Sequence, residues 1–526
     1  MNRELLLQHF DRISEAPDAI PRLRRFILDL AVRGKLVEQD TSDEPAAELL
    51  KRKEVTRTSG VPENWLSANI GQLMTFQYGK AFPATDRNDQ GRVAVFGSNG
   101  IVGFCETALV EEPAIIIGRK GSAGALNLCN GPSWTTDVAY FLTPPDFFDI
   151  RFLYIALQVL DLGRLGKGVK PGLSRSEAYQ LPIVIPPLAE QHRIVAKVDE
   201  LMALCDQLEA ERNKREVRRD RLVASSLNRI STTTAEEAKD AARFHLDNLP
   251  RLTTRTEHIK QLRQTILNLA VRGRLVPQDA HDEPAMELLK RIQAEKTRLV
   301  KEGKIRKQQA LAPIRCDEQL FDIPKHWAWV RLGSVIHLVS GQHLQPPEYT
   351  ENENAGVAYI TGPSDFGHEG LVITRYALVR KAIAYKGQLL LTVKGSGVGK
   401  TTVCDIQEVA ISRQLMALTA IEWNSNFMEM ITYRLAEALR ECARSLIPGI
   451  AREDVDEFVF GLPPLAEQHR IVAKVDELMA LCDQLEASLN TTEADSRSLL
   501  EAVLRDALNP FRLPDPVGKR LGTYFS

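Results

Sequence analysis

Residues 186–210 read PPLAEQHRIVAKVDELMALCDQLEA, and residues 463–487 repeat the same 25 residues without a change. In the first copy, apolar side chains recur at steps of four and three residues: Ile194, Val198, Leu201, Cys205 and Leu208. This spacing is typical of a helix with a coiled-coil seam, and the two leading prolines suit a first helical turn. The first helix can continue to about Ile230, and roughly 40 residues form a rod of about 60 Å.

A second pair of segments is also repeated. Residues 23–52 and 262–291 are identical at 22 of 30 positions, and a Pro-x-x-Trp motif follows each segment, ending at Trp65 and Trp327. The offset between the copies rises from 239 to 262, so the second copy carries 23 additional residues before its Trp. We place this insertion near residues 292–311, whose Lys, Gln and Glu content predicts a helix extension or a solvated linker.

Two unlike inserts, residues 65–185 and 327–462, lie between the repeated segments. Their predicted strands are Val93–Phe96, Ala114–Ile117, Val138–Leu142, Val357–Ile360, Gln388–Val393 and Gln414–Leu418. Glycine-rich turns separate these runs, which is typical of strands in a compact domain. Each insert therefore predicts one α+β domain of ordinary size.

The predicted fold class is α+β, with two compact domains separated by long helical repeats. Because the helical block is self-identical, we expect its copies to pair as an antiparallel coiled-coil rod about a pseudo-twofold axis. The predicted boundaries are a helical repeat at 1–60, a first compact domain at 61–185, a central helical spacer at 186–322, a second compact domain at 323–462 and a final helical repeat at 463–526.

Composition limits the function. A chain of 526 residues predicts three to four domains, and a net charge of −2 gives no whole-chain basic surface for nucleic acid. A DNA-binding protein of this composition needs its basic groups on one face, or a basic partner. The seven cysteines show no C-x-x-C spacing, and Cys205 and Cys482 fit buried thiols. We see no signal peptide and no apolar run of membrane length, and we expect a cytoplasmic protein.

A Lys-Gly-Ser turn follows an apolar run in both inserts, at residues 120–122 and 394–396. A lysine beside free backbone N–H groups suits phosphate oxygens, although a glycine that serves only a tight turn is the plain structural alternative. The second turn ends like a P-loop at Lys400, but Lys394 stands where that motif needs its first glycine. We therefore do not predict nucleotide binding.

Three further loop pairs carry small polar, amide or basic side chains, which suit contacts with base edges and the DNA backbone. They pair residues 95–100 with 359–364, residues 134–137 with 411–414, and residues 166–174 with 445–454. The candidate DNA-contacting residues are Lys80, Ser98, Asn99, Arg119, Lys120, Ser122, Thr135, Thr136, Lys167, Lys170, Ser174, Gln342, His343, Thr361, Lys394, Ser396, Lys400, Arg413, Gln414, Ser445 and Arg452.

Catalytic motifs are missing from the sequence. It contains no amino-methyltransferase tetrad, GxGxxG, H-E-x-x-H or complete Walker motif, and no convincing nuclease-like group of carboxylates with a lysine. His192 and His469 lie in the first turn of the repeated helix, where helix capping or contact with a partner is favoured over catalysis. We predict no catalytic residue and no metal ligand in this chain.

This layout resembles the specificity subunit of Type I restriction–modification systems. The resemblance is carried by the Pro-Pro-Leu-Ala-Glu-Gln starts at 186–191 and 463–468, by Trp65 and Trp327, and by the strand–Lys-Gly-Ser turns. It covers essentially the whole chain, and the twice-occurring helix start is highly specific. The longer segment at 262–311 departs from two equal repeats and leaves the spacer length open.

The resemblance implies a non-catalytic subunit that binds double-stranded DNA. Two target-recognition domains would each read half of a split site, with the helical repeats as a ruler between them. Two methyltransferase subunits and the restriction subunits would dock on the chain and would carry S-adenosylmethionine, ATP and Mg²⁺. Two alternatives remain at this point: a coiled-coil assembly scaffold that does not read DNA, and a self-sufficient nuclease or methyltransferase with an unrecognised site.

Overall fold

The computed structural model describes residues 16–49, 61–167, 171–353, 355–368, 370–395, 397–442 and 449–508. The chain divides into two compact units: unit 1 comprises Met1–Val217 and Asn490–Ser526, and unit 2 comprises Arg218–Leu489. Each unit contains one insert and its own copy of the repeated segments. In the part of the chain that is described, no helix has the length and apolar character needed to cross a membrane.

The helices confirm the predicted helical repeats. In chain order they are α1 (Ala19–Val32), α2 (Ala46–Leu49), α3 (Ile70–Leu73), α4 (Ile150–Leu160), α5 (Arg175–Tyr179), α6 (Leu188–Thr232), α7 (Ala235–Asp247), α8 (Leu249–Leu252), α9 (Thr256–Val271), α10 (Ala285–Lys301), α11 (Leu332–Val335), α12 (Ser425–Cys442), α13 (Arg452–Glu457) and α14 (Leu465–Leu508). The repeated blocks begin α6 and α14, which contain 45 and 44 residues. The predicted continuation of α6 to about Ile230 is confirmed.

The apolar seam of the repeated block packs within each unit. In unit 1, Ile194, Val198 and Cys205 share a buried core with Ile20 and Ile27 of α1. The corresponding face of α14 shares a core with α9 in unit 2. The predicted burial of both seam cysteines is confirmed, because each is at most 4% exposed.

The strands of each unit form three sheets. Unit 1 contains β1 (Leu66–Asn69), β2 (Gln77–Tyr78), β3 (Val93–Gly97), β4 (Gly100–Cys105), β5 (Ala114–Gly118), β6 (Leu126–Cys129), β7 (Ser133–Thr135), β8 (Ala139–Leu142) and β9 (Pro182–Ile185). Their sheet orders are β1-β9, β2-β8-β5-β6 and β4-β3-β7. All pairs are antiparallel except β3 with β7, which is parallel.

Unit 2 repeats this plan with additional strands. It contains β10 (Ala328–Arg331), β11 (Ile336–Ser340), β12 (Tyr349–Thr350), β13 (Val357–Ile360), β14 (Tyr376–Ala377), β15 (Ile383–Tyr385), β16 (Leu389–Thr392), β17 (Thr401–Val403), β18 (Glu408–Ile411), β19 (Leu415–Ala420) and β20 (Val459–Leu462). The sheet orders are β10-β20, β11-β19-β16-β17 and β12-β14-β13-β18-β15. The six strands predicted from sequence all occur within a few residues of their predicted ends.

Strands β5 and β16 are buried on both faces, which explains their uninterrupted apolar sequences. In β5, Ile115 and Ile117 lie in the main core of unit 1, and Ile116 points into a second cluster. In β16, Leu389 lies in the main core of unit 2, and Leu390 points into a second cluster. Each of these strands ends two residues before the lysine of its Lys-Gly-Ser turn.

The Glu-Gln pair of the repeated block holds the first compact domain at two points. Glu190 accepts a hydrogen bond from the indole Nε1 of Trp65 at 2.9 Å, next to β1. Gln191 accepts one from the backbone N of Asp149 at 2.8 Å, and Asp149 is the N-cap of α4. The Nε2 of His192 lies 3.6 Å from the Asp149 carboxylate.

The same two contacts recur in unit 2. Glu467 accepts from Trp327 Nε1 at 2.9 Å, and Gln468 accepts from the backbone N of Asn424 at 2.9 Å. His469 contacts Asn424 as His192 contacts Asp149, and its Nδ1 lies 3.0 Å from the Asn424 side-chain amide. The repeated block thus fixes both domains in the same way, although the domains themselves differ.

The insertion of the second copy extends α10 and then forms a strap at residues 302–323. Arg331, only 7% exposed, donates to the carbonyl of Ala312 at 2.8 Å and to the carboxylate of Glu318 at 3.0 Å. In unit 1 the corresponding position at the end of β1 is Asn69. The strap is therefore anchored by a residue that the first copy lacks.

Candidate nucleic-acid interface

In unit 1, four loops meet at the end of β5; we call their described residues 97–100, 119–122, 135–137, 167 and 171–175 rim 1. Lys120 and Lys167 both form β-bridges with Gly172, and the backbone N of Gly121 donates to Pro171 O at 2.9 Å. The Lys-Gly-Ser turn therefore lies against the loop that contains Lys167 and Ser174.

The remaining two loops of rim 1 join the same turn. The hydroxyl of Ser98 donates to Ser122 O at 3.4 Å. The backbone N of Thr136 donates to Phe96 O at 2.9 Å, which ties the end of β7 to the end of β3. The four candidate loops thus lie together in unit 1.

In unit 2, the matching loops form rim 2, comprising the described residues 361–365, 393–395, 397–400, 411–414 and 449–452. Val393 N donates to Gln414 O at 2.7 Å, and Ile450 N donates to Val393 O at 2.8 Å. Ser412 N donates to Ile360 O at 3.0 Å. In rim 1, the hydrogen bond from Leu173 N to Arg119 O at 2.9 Å corresponds to the bond from Ile450 N to Val393 O. The two rims therefore share a backbone scaffold.

The shared scaffold corrects one predicted loop pairing by one residue. Phe96 pairs with Thr135 in unit 1, whereas Ile360 pairs with Ile411 in unit 2. Thr135 therefore corresponds to Ile411, and the sequence pairing of Trp134 with Ile411 was wrong. With the correct register, Asp137 of rim 1 occupies the position of Arg413 in rim 2.

The glycines of both Lys-Gly-Ser turns adopt a left-handed conformation. The φ angles of Gly121 and Gly395 are +83° and +91°. No atom lies within 4 Å of a Cβ built on Gly121, so backbone conformation and not space selects glycine there. This geometry supports the plain turn-forming role, and it also leaves Lys120 and Lys394 exposed on each rim.

Most predicted contact residues are accessible. The exposed ones are Lys80, Asn99, Lys120, Ser122, Lys167, Gln342, His343, Lys394, Lys400, Arg413, Gln414 and Arg452. Half-buried are Ser98, Arg119, Ser174 and Thr361. Thr135 and Thr136 are buried, and Lys170, Ser396 and Ser445 lie outside the described residues.

The structure corrects the prediction for Thr135 and Thr136. They are 0% and 3% exposed, so their side chains offer nothing to a DNA surface. The hydroxyl of Thr136 instead donates to Phe96 O at 2.9 Å. Their polarity suggested a surface position, but strand pairing takes them into the interior.

Three other candidates have internal partners that reduce their availability. The hydroxyl of Ser174 caps α5 by accepting from Glu177 N at 3.4 Å. Lys167 forms an ion pair with the Glu177 carboxylate at 2.6 Å. The hydroxyl of Thr361 donates to Asp365 at 2.8 Å.

Sequence reasoning missed two residues of the first interface, Tyr78 and Arg175. Tyr78 is 51% exposed at the end of β2. The guanidinium carbons of Arg119 and Arg175 lie 5.1 Å and 5.0 Å from the centre of its ring. A signal was present, because the offset that aligns Gly172 with Gly449 also aligns Arg175 with the predicted Arg452.

At the same place unit 2 has an open cleft of about 390 Å³. Lys394, Arg413 and Arg452 line it together with Ser340. Ser340 precedes Gly341 as Tyr78 precedes Gly79, and both glycines approach the carbonyls of the facing loop. The small serine leaves open the space that the tyrosine ring fills in unit 1.

Basic groups therefore gather on the two rims although the whole chain carries a net charge of −2. Arg452 forms an ion pair with Asp456 at 3.2 Å. Burial, and then the nearby Arg452 and Lys296, lower the pKa of His337 on β11, which favours its neutral form. Among the described residues, no group of three or more His, Cys, Asp or Glu side chains is placed to hold a metal ion.

Comparison with known proteins agrees with this architecture. The model of the Type I restriction modification DNA specificity domain matches residues 62–218 and 324–492. The EcoAI specificity subunit of Escherichia coli is 28% identical over 93% of this chain and 94% of its own length. The EcoEI specificity subunit of the same species is 29% identical over the same shares.

A solved chain supports the fold. In a structure concerned with complex assembly and conformational transition of the type I R-M system, one chain aligns with a TM-score of 0.50 at 20% identity. The alignment covers 85% of this chain and 98% of that chain. Because the two matched regions make up more than half of the sequence, the chain belongs to the family defined by the Type I restriction modification DNA specificity domain.

Proposed function

We propose that this chain is the DNA specificity subunit of a Type I restriction–modification complex. Each rim reads one half of a split, asymmetric site on double-stranded DNA, and the helical repeats set the gap between the halves. The repeated helical segments form what we call the frame, and the chain contains two copies of it. The observation that carries this proposal is that two chemically different rims occur at the same place on these two copies. Such a design lets a single assembly recognise two different short sequences.

The chemistry of the rims suits DNA. Lys120 and Lys394 project beside glycine turns and match the phosphate backbone, which fixes position without reading sequence. Exposed amide and guanidinium groups, such as those of Gln414 and Arg413, match the base edges of adenine and guanine in the major groove. Salt should weaken binding in proportion to the number of phosphates contacted.

The functional division that we propose follows the repeated segments. Residues 61–185 and 323–462 are the two target-recognition domains. Residues 1–60, 186–322 and 463–526 are the helical parts of the frame. Trp65 and Trp327 begin the recognition domains, and the Glu-Gln pairs of the repeated block hold them in place.

The sequence identity of the repeated block also favours one kind of partner that binds both copies. Its buried residues are alike because both copies fill similar cores, but fold alone does not require identical exposed residues. In both copies these are Ala189, His192, Ala196, Asp199, Glu200, Ala203, Leu204, Asp206, Gln207 and Ala210, or their counterparts 277 residues later. We assign this surface to docking of two methyltransferase subunits, one on each copy.

The chemistry then belongs to the partners. The methyltransferase subunits would bind S-adenosylmethionine and take up a flipped adenine, and the restriction subunits would use ATP and Mg²⁺. This chain would carry no catalytic residue and no cofactor of its own. The alternative of an assembly scaffold that does not read DNA explains the repeated block, but it gives no reason for two unlike basic rims.

Methylome sequencing tests the proposal. A host strain that keeps the partner methyltransferase is compared with and without this chain. A split methylated motif that disappears with the chain supports the specificity function and gives both half-sites and their gap. Unchanged methylation, with the methyltransferase shown to be active on a chain from another system, would favour the scaffold.

A further inference from the structure

Rim 1 contains two arginines that share one aromatic ring. Arg119 and Arg175 lie 5.1 Å and 5.0 Å from the ring centre of Tyr78, within the range of a cation–π interaction. The ring is held in turn by Tyr140, whose ring centre is 5.0 Å away at an angle of 64°. The two guanidinium groups are therefore positioned before any ligand arrives.

Neither arginine is neutralised in the described part of the structure. Each donates to a backbone carbonyl, Arg119 to Asp137 O at 3.0 Å and Arg175 to Phe76 O at 3.3 Å. No ion pair with a carboxylate joins either guanidinium among the described residues. Both side chains are half-buried, so each retains N–H donors that a ligand outside the rim can reach.

The two positively charged guanidinium groups beside one ring repel each other. A ligand that accepts hydrogen bonds from both groups would therefore stabilise the arrangement. A phosphate would serve, but the exposed Lys80 and Lys120 already supply mobile cations to this rim. A planar guanidinium held in a fixed orientation offers more than charge, because its paired N–H groups match the O6 and N7 acceptors of guanine. The same fork also matches two phosphate oxygens, but the lysines of this rim already suit the backbone, so we assign the fixed arginines to a base edge.

The second domain lacks this arrangement. The backbone contact of Leu173 with Arg119 corresponds to that of Ile450 with Val393, so valine replaces Arg119. Ser340 replaces Tyr78 and lines an open cleft. The stacked pair is thus specific to the half-site that the first domain reads.

We propose that Arg119 and Arg175, positioned by Tyr78, contact guanine in the half-site read by the first recognition domain. This inference rests on the proposed specificity function and adds a base identity to it. Tyr78 acts as a positioning residue, and the arginines make the contact. The pair reads at least one G·C base pair of that half-site.

The test uses methylome sequencing of cells that express the complete complex with variant chains. The variants are Arg119→Gln, Arg119→Lys, Arg175→Gln, Tyr78→Leu and Tyr78→Phe. The matched control is Arg92→Gln, an exposed arginine just before β3, at the end of that strand away from rim 1. Methylation is scored at the wild-type motif and at every single-base change of both half-sites.

We expect Arg119→Gln or Arg175→Gln to reduce discrimination at a G·C position about ten- to a hundred-fold. The change should be confined to one half-site. Arg119→Lys keeps the charge but loses the planar fork, so it should relax the same position while methylation continues. Tyr78→Leu should act like the arginine variants, whereas Tyr78→Phe keeps the ring and should leave the motif unchanged, as should Arg92→Gln.

Two results would overturn the inference. One is a half-site of the first domain in which no G·C position responds to either arginine. The other is a uniform fall in methylation with the motif unchanged in Arg119→Gln and restored by Arg119→Lys, which would indicate a charge contact with the backbone. Failure of the specificity function itself would be visible separately, since the wild-type chain would then give no split motif.

Discussion

The two recognition domains place different chemistry on one backbone scaffold. In unit 1, an exposed tyrosine fills the space between the loops and supports two arginines. In unit 2, a serine leaves that space open as a cleft of about 390 Å³ lined by Lys394, Arg413 and Arg452. Asp137 and Arg413 occupy the same position with opposite charges. A small number of substitutions at strand ends is therefore enough to change the side chains that a rim exposes.

The frame shows the opposite behaviour. Trp65 and Trp327 donate to Glu190 and Glu467 at the same distance of 2.9 Å in both units. The comparison indicates that the contacts of the frame set where a rim lies, while the loop residues set what it binds. The predictions below test that separation in order of decreasing effect.

Removing the tryptophan of either frame should have the largest effect on stability. Trp65 and Trp327 are 1% and 5% exposed, and loss of either ring leaves a cavity and an incompletely bonded carboxylate. We expect Trp65→Ala and Trp327→Ala each to lower the free energy of unfolding by about 3–5 kcal/mol. Hydrogen exchange of the full chain should show the loss in unit 1 for the first variant and in unit 2 for the second.

If each tryptophan variant weakened both units equally, the two domains would not be held independently. An exposed-site control of the same kind is Leu320→Ala, because Leu320 is 83% exposed and its loss should change stability little.

Removing the anchor of the strap in unit 2 should lower stability less than the tryptophan variants do, and only in that unit. Arg331 is 7% exposed and donates to Ala312 O, Glu457 O and the Glu318 carboxylate. Arg331→Met removes these bonds and leaves Glu318 with Arg315 as its remaining partner, and we expect a loss of about 3 kcal/mol with faster exchange in residues 302–323. Arg315→Gln is the matched control, since its side chain is 72% exposed; equal effects of the two variants would contradict the anchoring role.

The buried carboxyls of the frame predict a pH dependence. Burial raises the pKa of Glu190 and of Glu467 above the ordinary value of 4.5, and the bonds from Trp65 and Trp327 only partly oppose it. A raised pKa means that the folded state holds the proton more tightly. The stabilisation from this effect is complete below pH 4.5 and is lost as the pH rises through the raised pKa.

Because glutamine does not titrate, Glu190→Gln and Glu467→Gln should each flatten this decline. The check is the free energy of unfolding measured in denaturant between about pH 4 and pH 7. The assignment would be refuted if the variants lost stability with rising pH as steeply as the wild type does. It would also be refuted if the two glutamates made the wild type more stable as the pH rises.

The exposed ion pairs of the frame should matter least. Arg24 bonds Asp206 and Glu209 at 2.6 Å and 2.7 Å, and Arg263 bonds Asp483 and Glu486 at 2.5 Å and 2.7 Å. The two aspartates are largely exposed and the two glutamates partly so, so Arg24→Gln and Arg263→Gln should each cost at most about 1 kcal/mol, and less at high salt. Clearly unequal costs would show that the two copies of the frame are not equivalent.

Much of the fold was predictable because repetition and periodicity are local signals. The steps between Ile194, Val198 and Cys205 predicted α6, and uninterrupted apolar runs predicted β5 and β16. The loops at the strand ends could be grouped because both copies contain them at matching places. These inferences required no knowledge of contacts between distant residues.

The site was predicted less well because its details depend on such contacts. Thr135 and Thr136 are polar but become buried when β7 pairs with β3. The one-residue error between Trp134 and Ile411 arose because the inserts are too unlike for sequence to fix their register. Tyr78 and Arg175 are 97 positions apart in sequence, and only the fold brings them together with Arg119.

Exchange of one insert tests the central claim most directly. Residues 327–462 would be replaced by the corresponding insert of another family member with a known methylated motif, and the methylome of the host would be sequenced. Two independent readers on one frame predict that one half-site changes to that of the donor, while the other half-site is retained. A change in both half-sites, or in neither with the complex still active, would contradict the account.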